Sequence, residues 1–66
     1  MFNSKKFIRY ENGKAVIRAE LIFDTPSELP ASVEYEGYIL SQGSAAWTVK
    51  TKEVYALASD GNWVKQ

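Results

Sequence analysis

From Ala15 to Phe23 the chain alternates. Ala15, Ile17, Ala19, Leu21 and Phe23 form one apolar row, and Arg18, Glu20 and Asp24 fall on the other side, with Val16 and Ile22 as exceptions. A period of two held this long fits a half-buried β-strand and cannot be satisfied by a helix. Just upstream stands Glu11-Asn12-Gly13-Lys14, preceded by a second extended stretch from Lys6 to Tyr10. Asn-Gly between such runs is a strong hairpin signal, because a type I′ turn needs positive φ at both central residues. The chain therefore opens with a β-hairpin.

Asp24-Thr25-Pro26-Ser27-Glu28-Leu29-Pro30 follows. Its two prolines forbid a strand and leave room for one short helical turn, with Asp24 or Thr25 as cap and Pro26 at the first position. Leu29 is expected to plug the core. Further on, Ser32–Glu36 alternates weakly, with Val33 and Tyr35 opposite Glu34 and Glu36, until Gly37 interrupts it. Short strands are expected at 38–40, 46–50, 53–58 and 63–65. They are separated by Gln42-Gly43-Ser44, Thr51-Lys52 and Ser59-Asp60-Gly61-Asn62, and the last three form a meander. The expected fold is mainly β, one small domain over residues 1–66. It is an antiparallel meander, barrel-like or a two-layer sheet, with an N-terminal hairpin and at most one helical turn near Pro26–Pro30.

A 66-residue chain buries only about 60% of the surface its unfolded form exposes. Domains of this size often rely on disulfides, a metal or partner chains. Cysteine and histidine are both absent, which removes disulfides and the commonest zinc ligands. The expectation is no metal and no cofactor, with Trp47, Trp63, Tyr38 and Tyr55 supplying core area. Association with other chains is the remaining source of burial.

Eight basic and eight acidic side chains balance to a net charge of zero, which argues against a general nucleic-acid binder. Their order is uneven. Lys5, Lys6, Arg9, Lys14 and Arg18 crowd the first segment with Glu11 as the one acid among them. Glu20, Asp24, Glu28, Glu34 and Glu36 then follow without a base between them. Such segregation is either ordinary solvated charge or head-to-tail complementarity between copies. The opening residues contain no apolar stretch of the secretory kind, and no apolar run approaches the ~18 residues of a membrane span. The expected setting is a cytoplasm or something assembled there.

Residues for catalysis are not assembled in the sequence. Gly43-Ser44-Ala45 lacks the pattern of a nucleophile elbow and has no histidine to act as base, so Ser44 reads as a turn residue. Glu34 and Glu36 share a strand face, but a chain this short cannot build the two walls of a glycosidase cleft. No glycine-rich loop leads into a helix, no calcium-loop spacing occurs, and Asp60 is accounted for by its turn. The chain is expected not to be an enzyme.

Lys5-Lys6-Phe7-Ile8-Arg9-Tyr10 interleaves bases and aromatics. That hints at nucleic acid, but the favoured reading is an ordinary edge strand on which lysine discourages aggregation. The candidate interface residues are Lys5, Lys6, Arg9, Tyr10, Tyr35 and Tyr38, since tyrosine is enriched in protein interfaces. Trp47 or Trp63 would serve a carbohydrate-binding alternative.

The order Asp24-Thr25-Pro26…Leu29-Pro30, Gly43-Ser44-Ala45, Val54-Tyr55-Ala56-Leu57 and Ser59-Asp60-Gly61-Asn62-Trp63 resembles that of short structural proteins of bacteriophages and prophages. It covers roughly the C-terminal two-thirds and consists of turn and core motifs. The resemblance implies a non-enzymatic head or tail accessory protein, located in the virion or the host cytoplasm. Its partners would be other phage structural proteins or copies of itself.

Overall fold

The computed structural model describes every residue from Met1 to Gln66. Its strands are β1 (Phe2–Glu11), β2 (Lys14–Phe23), β3 (Glu34–Tyr35), β4 (Tyr38–Leu40), β5 (Ala45–Thr48), β6 (Glu53–Leu57) and β7 (Trp63–Lys65), with one 3-10 turn at Pro26–Glu28. The fold is mainly β, a sheet curled into a half-barrel. The hairpin forms as its turn demands: Asn12 at φ 52° and Gly13 at φ 79° join β1 to β2. A second tight turn uses Glu36 at φ 53° and Gly37 at φ 83° between β3 and β4.

The sheet is mixed rather than wholly antiparallel. β2 is its spine, with β1 antiparallel along one edge. Its other edge is shared by two parallel partners: β4 beside Val16 and Ile17, and β5 beside Glu20 to Phe23. Between them, the four residues Ser41–Ser44 span the same stretch of edge as the two residues Arg18 and Ala19. β4 and β5 thus behave as one strand with an enlarged bulge. The bulge stays tied to β2 because Ser41 N–H donates to the Ile17 carbonyl at 2.8 Å and Ala19 N–H donates to Ser44 Oγ at 3.1 Å. Ser44 is therefore more than a turn residue: it is fully buried and supplies the acceptor that the ladder lacks. β5, β6 and β7 form the expected C-terminal meander.

A parallel return requires a crossover, and residues 24–33 provide it. Thr25 stands at the cap position of the 3-10 turn without a side-chain capping bond, its hydroxyl meeting Ser27 Oγ at 2.8 Å instead. Leu29 packs on the core as expected, together with Val33. The core consists of Ile17, Ala19, Leu21, Phe23, Leu40, Ala46 and Leu57, so the apolar row of β2 supplies most of it. Trp63 anchors the meander to the crossover by donating its indole N–H to the Pro30 carbonyl at 3.1 Å.

Trp47 departs from its expected place in the core: its side is outward and 51% exposed, while its neighbour Thr48 is buried. The physical reason lies in the hydroxyl. Thr48 Oγ1 meets Thr51 Oγ1 at 2.6 Å and donates to the Glu53 carbonyl at 3.3 Å, so this polar residue is satisfied inside. Strand alternation then sends Trp47 out.

Candidate functional site

The least covered element is β1. Nine of its ten residues are exposed, and it pairs with β2 alone, leaving its outer edge without a strand partner. Two irregularities, at Asn3 and Ile8, break its register with β2. Bulges and lysines are devices that keep an edge from indiscriminate pairing, and between them runs a regular segment from Ser4 to Phe7. Phe7, Ile8 and Tyr10 are exposed here, and the rings of Phe7 and Tyr10 lie 5.0 Å apart.

The six sequence candidates divide into two groups. Lys5, Lys6, Arg9 and Tyr10 are all exposed on β1. Tyr35 and Tyr38 are half-buried and belong to an aromatic bridge that links β1 and β2 to β3 and β4. Phe2 meets Tyr35 at 5.2 Å and Tyr38 at 5.6 Å, both edge-on, and Phe23 meets Tyr35 at 5.9 Å. Edge-on contacts of this kind add about 0.5–1.5 kcal/mol each beyond area burial. The N-terminal amino group donates to the Tyr35 hydroxyl at 2.7 Å. Burial first and the nearby Glu36 second push the Tyr35 phenol above its usual value.

The cations of β1 are unequally engaged. The Lys5 ammonium sits 4.8 Å from the centre of the Phe2 ring and 5.0 Å from that of Tyr38. Arg9 pairs with Glu11 at 3.0 Å. Lys6 lies directly opposite Arg18, and neither has a carboxylate partner. Like charges directly opposed are unfavourable in a sheet, so this pair would gain from an anionic neighbour. On the other side of β2, beyond β4, β3 is also an edge; it carries Glu34, which Lys14 Nζ meets at 2.6 Å, and the turn after it carries the exposed Glu36.

On the inner face of the meander, Glu53 receives Lys65 Nζ at 2.6 Å and the Tyr55 hydroxyl at 3.1 Å. Hydrogen bonds, from Lys65 foremost, lower the Glu53 carboxyl below its ordinary range, and the same contact raises Lys65. Each of the three polar groups is matched by another, which describes a structural brace.

A shallow hollow of about 390 Å³ on the outer face is lined by Asn3, Glu20, Ile22, Ala45, Trp47 and Val54 among others. Sequence reasoning missed Asn3, Glu20, Ala45 and Val54 as a group. The available signal was the small Ala45 two positions before Trp47, on the same strand face. Comparison with protein-family models, curated proteins and solved structures finds no match.

Proposed function

We propose that this chain is a non-enzymatic structural or assembly component of a bacteriophage or prophage particle, acting in several copies through protein–protein contacts at its sheet edges. The observation that carries this reading is β1, a ten-residue strand with an open outer edge and exposed Phe7, Ile8 and Tyr10. An added strand gains main-chain hydrogen bonds, and exposed aromatics give it anchors. The motif order described above supports the particle setting.

The partner of β1 is the β3 edge of a second copy. Two β1 edges side by side would bring Lys5, Lys6 and Arg9 against themselves, with Glu11 alone to offset them. The β3 edge offers Glu34, whose contact with Lys14 at 2.6 Å would be shared with the new partner, and the turn after it offers the exposed Glu36, which has no cation of its own. Such a contact is head-to-tail, so it either closes into a ring or extends as a filament, the two forms open to repeating structural parts. Charge exchange tests it. Lys6→Glu with Arg9→Glu should abolish association, as should Glu34→Lys with Glu36→Lys, and mixing the two double variants should restore it. Failure of the mixture to associate, with both variants folded, would reject the β1–β3 contact.

Nucleic-acid binding by the Lys5–Tyr10 strand is the second reading, favoured by the unpaired Lys6 and Arg18. It is the weaker one, because eight acidic side chains balance the eight basic ones and the chain lacks the basic field that nucleic acid requires. An oligonucleotide shift at low salt that charge reversal at Lys5 and Lys6 removes would establish it.

A further inference from the structure

We infer that the hollow beside Trp47 is a binding site for a neutral pyranose ring. Three features of the outer face converge there. The first is an aromatic platform. Ile22, Trp47 and Val54 are lateral neighbours on β2, β5 and β6, and they form one apolar row with the indole at its centre. The second is space next to that platform. The adjoining row runs Glu20, Ala45, Ala56 and Val64; of these Glu20 and Ala45 line the hollow, and the small Ala45 leaves room beside the indole. The third is a polar rim. Asn3 is the extra residue of the bulge between Phe2 and Ser4, and it lines the hollow with Glu20. Bulges re-aim side chains and are over-represented beside binding sites.

The chemistry of the rim selects the ligand. Glu20 accepts the Ser4 hydroxyl through Oε1 at 2.8 Å, which leaves Oε2 for a second donor. The Asn3 carboxamide offers both donors and an acceptor. An apolar bed with a few convergent polar groups is the usual composition of a small-ligand site. A pyranose matches both parts: its C–H face lies on the indole and its hydroxyls reach the rim. The carboxylate disfavours acidic sugars. Asn3 belongs to β1, but the site uses neither Lys6 nor Arg9 and does not depend on the contact between copies.

The test is a two-dimensional NMR titration of the Lys6→Glu, Arg9→Glu chain, in which the proposed copy contact is removed. The probes are methyl glycosides of glucose, galactose and mannose, N-acetylglucosamine, and glucuronate as the anionic control. Free glycosides are compared with short oligomers to separate single-ring from polysaccharide recognition. At least one neutral sugar should give saturable millimolar shifts at the Trp47 indole N–H and the Asn3 side-chain amide. The Trp63 indole, held by Pro30, should stay still and serve as the internal reference. Asn3→Ala should weaken binding about tenfold, and Trp47→Ala should abolish it. Absence of shifts with every neutral sugar, shifts that survive Trp47→Ala, or equal shifts with glucuronate would overturn the inference.

Discussion

The backbone N–H of Ala19 donates to the buried hydroxyl of Ser44 at 3.1 Å, across 25 residues of sequence. This bond bridges the point where the second edge of β2 passes from β4 to β5. Without it a buried donor would stand unpaired, which costs about 1–3 kcal/mol. Ser44→Ala should destabilise the chain by that amount in urea unfolding. Ser41→Ala is the control: its hydroxyl makes only a long 3.4 Å bond to the Gln42 carbonyl, and the change should be near neutral.

Glu36 holds φ 53° beside Gly37. A side chain other than Gly, Asn or Asp pays about 1–2 kcal/mol in this left-handed region. Glu36→Asn recreates the Asn-Gly pair that already turns β1 into β2, and should raise stability by about 0.5–1 kcal/mol. Thermal unfolding of the two chains side by side checks the sign.

The Glu53–Lys65 brace makes stability depend on pH in a defined direction. Glu53 titrates below its ordinary value of 4.5 when folded, so its contribution is present above pH 4.5 and disappears as pH falls through the lower folded value. Lys65 titrates above 10.5, so its contribution is complete below pH 10.5 and is lost as pH rises through the higher folded value. The stability gap between the natural chain and Glu53→Gln should be widest between these limits. It should close towards strong acid, as melting curves across pH will show.

The aromatic bridge ties β1 to β3 and β4 through side chains, where no backbone pairing joins them. Phe2→Ala removes two edge-on contacts and the ring beneath Lys5. A loss of about 1–3 kcal/mol is expected from a half-buried ring. The Tyr35 and Tyr38 resonances should move in NMR spectra, while those of β6 and β7 stay in place.

Local chemistry made much of this fold legible in the sequence. Asn12-Gly13 announced the hairpin, Pro26 the 3-10 turn, and Asp60-Gly61 a turn in which Asp60 Oδ1 accepts the Asn62 N–H at 3.0 Å. The alternation of β2 named the core row in advance. What stayed hidden was long-range. A period of two marks a buried face but says nothing about which strand lies alongside, or in which direction, so the parallel pairing of β2 with β4 and β5 could not be read. Ser44 looked like turn chemistry because its partner, Ala19, is far away in sequence. Trp47 looked like core because hydrophobicity ranks it above Thr48; the two hydrogen bonds of the threonine hydroxyl reverse that order. Of the candidate interface, the Lys5–Tyr10 strand was legible as an exposed edge. The burial of Tyr35 and Tyr38 was not, since it depends on Phe2 arriving from the opposite side of β2.

Sedimentation velocity over a wide concentration range, at low and at high salt, addresses the edge contact between copies most directly. Assembly that grows with concentration, weakens with salt and vanishes in Lys6→Glu, Arg9→Glu is the expected result. A chain that remains monomeric at its highest concentration in low salt would contradict it.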